Sequence, residues 1–226
     1  MIDFQNANTI FTPKGEVVAI ARGDDVLWRK AYKKELAYLE STETQYIDTG
    51  FIPNTNTKTE LYVGGISADT FPTTSGGWFV GSRTAYMSQG FGTYYNPGEQ
   101  RLYGAFGNQQ ISVSVPSTAF YGKDHLFTID KSGLYLDGSK KISFNNSFNG
   151  KYPLWLFTIN LAGSRANVMR FKLFYFKVWD NNNLVRDMIP VLDWSNIPCM
   201  YDKVSGELFY NQGTGDFLYA EIGVTE

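Results

Sequence analysis

The sequence predicts an all-β protein, an antiparallel β-sandwich preceded by a short amino-terminal β-hairpin, and three observations carry that expectation. No amphipathic helical period persists along the 226 residues. Short runs of aromatic and β-branched residues alternate instead with Gly, Asn and Asp clusters at the spacing of sandwich strands. The stretch from Leu173 to Leu218 reads as strand, tight turn and strand in immediate succession. With 43% hydrophobic and 16% aromatic content, the chain can fill one large β core and still supply an appendage.

The first apolar runs, Gly15 to Ile20 and Val26 to Trp28, flank Ala21-Arg22-Gly23-Asp24-Asp25, a hairpin with a Gly-Asp turn. A lone hairpin is marginal, so Val18, Ile20, Val26 and Trp28 must pack on something. The residues leave open whether that is the sandwich, of which this would be the first hairpin, or a partner protein to which residues 1–34 attach the domain. Ala31 to Lys34 is then the linker, and residues 35–226 form the sandwich.

Leu36 opens the sandwich, with Ser41 to Thr44 as a turn and Gln45 to Thr49 as the next strand, closed by Gly50 and Pro53-Asn54. Thr57 to Gly64 alternates, with Leu61 and Val63 on one face and Glu60 and Tyr62 on the other. A polar loop, Ala68 to Gly77, precedes Trp78 to Gly81. From Ala85 to Gly107 glycines interleave with aromatic rings. Further strands are read at Asn108–Val115, Leu126–Asp130, Leu134–Leu136, Lys141–Phe144 and Leu154–Leu161. Leu173 to Trp179 is so uniformly aromatic and β-branched that it predicts a strand covered on both faces. Asp180 to Asn183 stops it, because Asn and Asp tolerate left-handed φ. Met200-Tyr201 and Glu207 to Tyr210 make a second hairpin around Asp202 to Gly206.

Four segments carry a family resemblance. They are ELAYLESTETQYIDTGFIPN from Glu35, HLFTIDKSGLYLDGSKKISF from His125, FKVWDNNNLVRDMIPVLD from Phe176 and PCMYDKVSGELFYNQGTGDF from Pro198. Together they resemble the laminin-G-like, concanavalin A-like jelly-roll domains of phage virion proteins and gut-bacterial surface proteins, over about Glu35 to Ala220. VVAIARGDDVLWRK is similar to short pieces that precede variable modules in phage tail and fibre proteins. At Glu43 the jelly-roll pattern usually has Gly, which implies strain there if the turn needs positive φ, or else a turn of a different type.

The resemblance implies a non-enzymatic virion structural protein of tail, fibre or capsid decoration, carrying a lectin-like module for host-surface or mucosal glycan. Its partners would be other virion proteins through the amino-terminal segment, a polysaccharide, and further copies of itself. The alternatives are a purely structural decoration without glycan binding, and an adhesin domain at a bacterial surface. An initial Met followed at once by a strand favours a complete short gene over an excised adhesin domain.

The chemistry is read mainly from what is missing. A formal charge of -2 without a basic block argues against nucleic acid. No segment has a signal peptide's pattern or a transmembrane length, so no membrane partner is expected. One cysteine excludes an internal disulfide, and Cys199, in IPCMY, reads as a buried small hydrophobe. Glucanases of this architecture place carboxylates at alternate positions of one strand, and no E-x-D-x-E is present. The single histidine, His125, begins a buried strand and reads as structural. No cofactor is expected. Relatives can hold calcium, and Asp48, Asp69, Asp180, Asp187 and Asp193 offer oxygens, but no dense acidic loop assembles them. Asp180 is read as a turn cap and Asp187 as a partner of Arg186 or Arg170.

Sugar recognition stacks aromatic faces on pyranose rings and adds amides for the hydroxyls. Trp78, Tyr86, Tyr94 and Tyr95, with Asn96 and Gln100, lie in a Gly-rich stretch suited to a rim. The competing expectation is that these rings fill the sandwich. Trp194, Tyr201, Tyr210 and Tyr219 read as core and edge cover.

Overall fold

The structure is a computed structural model and describes residues 8–11, 17–22, 25–69, 76–85 and 88–223. In chain order its strands are β1 (Asn8–Phe11), β2 (Val17–Arg22), β3 (Asp25–Arg29), β4 (Lys34–Glu40), β5 (Ile47–Asp48), β6 (Thr57–Gly64) and β7 (Gly77–Arg83). Next come β8 (Gly90–Asn96), β9 (Arg101–Gly107), β10 (Gln109–Ser114), β11 (His125–Asp130), β12 (Gly133–Leu136), β13 (Ser139–Ser143) and β14 (Trp155–Leu156). The last are β15 (Ile159–Leu161), β16 (Ser164–Ala166), β17 (Lys172–Asp180), β18 (Asn183–Leu192), β19 (Pro198–Asp202), β20 (Leu208–Phe209) and β21 (Leu218–Glu221).

Among the described residues these strands make two large sheets and one small one. The ten-stranded sheet runs β13-β12-β11-β6-β17-β4-β18-β19-β20, with β21 added on β4. The eight-stranded sheet runs β10-β9-β8-β7-β14-β5, with β15 and β16 attached at β7. Both are antiparallel apart from the pairing of β15 with β7. They enclose one core, and its phenylalanines come from both sides. Phe79 of β7 meets Phe127 of β11 at 4.6 Å between ring centroids, and Phe106 of β9 meets Phe144 at 5.1 Å. Each ring buried so completely contributes about 1.5–3 kcal/mol relative to exposure. At one edge Gln109 accepts a hydrogen bond from the Asn145 backbone (3.1 Å), joining β10 to the end of β13.

Local sequence explains the elements. In β6 Thr57, Thr59, Leu61 and Val63 are buried while the residues between them are half-exposed, the period of a strand with one wet face. Asn181 (φ 50°) and Asn182 (φ 65°) form a two-residue turn between β17 and β18, with left-handed backbone at both positions as type I′ requires. Asp202 is fully buried and holds the next hairpin: its carboxylate accepts from the Asp187 N–H (2.7 Å), the Val204 N–H (3.1 Å) and the Ser205 hydroxyl (2.9 Å). Glu43 does take φ 79°, a left-handed position held by a bond from its N–H to the Ser41 hydroxyl.

Several expectations change. The amino-terminal segment is a three-stranded sheet in the order β1-β2-β3, not a two-stranded hairpin. Its turn residues Gly23 and Asp24 lie outside the described residues. Residues 31–34 do not stand clear of the sandwich. Tyr32 is 4% exposed and packs on Tyr201, Val191 and Cys199, and the Trp194 indole donates to the Lys30 carbonyl (2.8 Å). Strand β17 is covered on one face only. Leu173, Phe176 and Val178 point inward, while Phe174 and Tyr175 are half-buried against Tyr62, at 5.0 and 5.5 Å. Asp187 faces Lys177 (3.6 Å), since Arg186 turns to Asp202 (3.5 Å) and Arg170 to Glu40 (3.1 Å).

Candidate functional site

The outer face of the eight-stranded sheet carries the most chemically distinctive surface. Register places Trp78 of β7 opposite Tyr94 of β8, and Tyr94 opposite Tyr103 of β9. All three side chains share that face, with centroids 5.5 Å apart for Trp78–Tyr94 and 5.3 Å for Tyr94–Tyr103. A bulge in β7 between Trp78 and Val80 sets this register. Glycine makes the close approach possible. Gly92 has φ +144° and a Cβ there would lie 2.1 Å from the Val80 carbonyl oxygen. A Cβ on Gly81 would lie 2.6 Å from the Trp78 ring, so the indole rests over that position.

Polar groups surround the row. The Arg83 guanidinium lies 5.5 Å from the Trp78 ring centre and donates to Gln110 (3.2 Å). Asn96 accepts the Glu99 N–H (3.2 Å) and so shapes the turn from β8 to β9. The Tyr103 hydroxyl donates to Glu99. That bond pushes the Tyr103 phenol above its ordinary value, with burial adding to it. Burial and then Glu99 push the Tyr94 phenol up. Both phenols therefore keep their protons at neutral pH, and that of Tyr103 is already given to Glu99.

Together with Asn167 these residues line a groove of about 230 Å³. It is smaller than the ~300–1,000 Å³ clefts that enclose drug-sized ligands, and it suits contact along a surface. Of the described residues lining it, Glu99 alone is a carboxylate.

Trp78, Tyr94 and Asn96, expected at a rim, are brought together here. Their roles differ, because Trp78 is only 2% exposed and forms the base with Ala105 and Ile159, while Tyr94 stays half-buried at the surface. Tyr95 is not part of the site. It is fully buried on the opposite face, its hydroxyl donating to the Val115 carbonyl (2.8 Å). Tyr86 lies outside the described residues. Sequence reasoning missed Tyr103, Glu99, Arg83, Gln110 and Asn167 as a group. The Asn96–Arg101 turn offered a signal for Tyr103, since closing that hairpin puts Tyr103 opposite Tyr94.

Other candidates sort as follows. Val26 is 59% exposed and Ile20 is half-buried; the side chains of Val18 and Trp28 lie outside the described residues. His125 is buried, meets Asp137 at 2.8 Å through Nδ1 and packs edge-on against Phe120. Burial pushes the Cys199 thiol up to about 12, which suppresses the nucleophilic thiolate. Among the described residues no three His, Cys, Asp or Glu side chains converge as metal ligands would. No described helix is long and apolar enough to cross a membrane.

No protein-family model matches this chain, and no curated protein matches it.

Proposed function

We propose that this chain is a non-enzymatic glycan-attachment module of a phage virion, with saccharide laid along the Trp78–Tyr94–Tyr103 row. The observation that carries the binding half is the row itself: half-buried phenol faces on a tryptophan base, flanked by amide, guanidinium and carboxylate groups. Such a surface matches a sugar's apolar ring face and its hydroxyls together. Binding is favoured over hydrolysis because glycosidases need two carboxylates flanking the bond, and the groove brings Glu99 only, already engaged by Tyr103. The virion half rests on the jelly-roll and amino-terminal resemblances. Weak sites of this kind gain strength from many copies on one particle.

The test is binding of the full chain, clustered on beads, to intact gut-bacterial cells with competition by their purified surface polysaccharide. Competed binding that falls about tenfold or more in Tyr94→Ala and Tyr103→Ala, with folding intact, supports the reading; tenfold corresponds to ~1.4 kcal/mol. Saturable binding unchanged in both variants moves the site elsewhere. No binding by the folded wild type points to a structural decoration.

A further inference from the structure

The geometry points to a second binding site at one end of the sandwich, for a neutral, hydroxyl-rich ligand unit such as a single sugar residue. Three turns meet there: residues 54–56 ahead of β6, Lys131-Ser132 between β11 and β12, and Asn181-Asn182 between β17 and β18. The concavity between them has about 430 Å³, larger than the aromatic groove.

The walls are built before any ligand arrives. Asn56 donates through its side-chain amide to Asn181 (2.9 Å), tying the first wall to the third. Asn54 donates to Asp180 (2.9 Å) behind them. In the second wall Asp130 accepts the N–H groups of Ser132 (2.7 Å) and Gly133 (3.1 Å) and the Ser132 hydroxyl (2.6 Å). The left-handed Asn181 and Asn182 fix where the third wall ends. A ligand would therefore lose its own freedom without having to order the protein.

The lining selects the ligand class. It holds amides, hydroxyls, two lysines and one carboxylate, and no aromatic ring. Lys58 is neutralised by Glu60 at 2.7 Å and sits over Trp179. That leaves Lys131 against Asp130, one charge of each sign, so neither a multivalent anion nor a cation is matched. Amides and hydroxyls donate and accept alike, which is the capacity that sugar hydroxyls present. Recognition here works by hydrogen bonds without stacking, the reverse of the aromatic groove, and does not depend on that groove binding anything.

Amide NMR of the full chain tests it, with glucose, galactose, mannose and N-acetylglucosamine as probes, followed by inorganic phosphate. The expected result is saturable, millimolar shifts from at least one sugar, centred on the amides of 55–58, 131–133 and 181–183. The double variant Lys131→Ala, Asn182→Gly should weaken them about tenfold, the loss of roughly one good hydrogen bond. Glycine is chosen because it keeps the left-handed turn, and spectral dispersion reports the fold. Tyr94→Ala should leave these shifts unchanged, so this site and the aromatic groove can fail separately. Absence of shifts at those amides with all four sugars, shifts with phosphate alone, or shifts indifferent to the double variant would each overturn the proposal.

Discussion

Tyr94 and Tyr95 are neighbours on β8, yet they belong to different parts of the molecule. Tyr95 points into the core among Phe120 and its neighbours, with its hydroxyl bonded to Val115. Tyr94 points outward onto Trp78 and Tyr103. The same contrast runs across the eight-stranded sheet, with Phe79, Phe91, Leu102 and Phe106 inside and Trp78, Arg83, Tyr103 and Gln110 outside. Because side chains alternate along a strand, one position decides between a residue that stabilises and one that can recognise. Composition alone does not see that step.

Substitution on each face sharpens the comparison. The largest loss is expected for Phe106→Ala, about 3–5 kcal/mol by chemical denaturation, since the ring is fully buried against Phe91, Phe144 and Phe148. Trp78→Ala strains the division: an outer residue only 2% exposed, it should cost about 3 kcal/mol or more, so lost binding in that variant would not identify a contact. An effect below about 1 kcal/mol would mean the indole is not packed as described.

Next in size is Tyr95→Phe, which leaves the Val115 carbonyl without its phenol donor and should cost about 1–2 kcal/mol. Tyr94→Phe should leave the denaturation midpoint nearly unmoved, and equal losses in the two variants would erase the distinction between the faces.

A last test concerns the outer face of the other sheet, where Cys199 lies under Tyr32. Burial raises its folded pKa to about 12, so the stability it lends is complete below the unfolded thiol's value near ~8.5 and is lost as pH climbs through the folded one. Thiol reagent at about pH 8 should fail to label the native chain and label it promptly in denaturant. Rapid native labelling would show that Tyr32 does not cover the site.

What could be read from sequence was local. Strand β6 announced itself by strict alternation, and the Asn181-Asn182 turn by residues that accept left-handed backbone. The strain at Glu43 was legible for the same reason. Strand β17 misled because Phe174, Tyr175 and Tyr62 cover one another sideways on an otherwise open face, so aromatic density overstated burial. Strand β1 is four residues with little pattern of its own. Of the aromatic row, Trp78 and Tyr94 were read from the sequence, and the hairpin of β8 and β9 carried the signal for Tyr103. Arg83 and Asn167 were not, since their place depends on a bulge and on a crossing between distant segments.

The position of β4 has a mechanical consequence. It lies inside the ten-stranded sheet, bonded to β17, β18 and β21, and β21 runs back beside it so that Glu221 pairs with Leu36 near its start. Antiparallel hydrogen bonds stand across the strand direction. A pull on the amino-terminal side against a hold on the far groove would load those bonds side by side, in shear. A pull applied between the two termini would instead open β21 from β4 one pair at a time, so the direction of the load decides how firmly the domain holds.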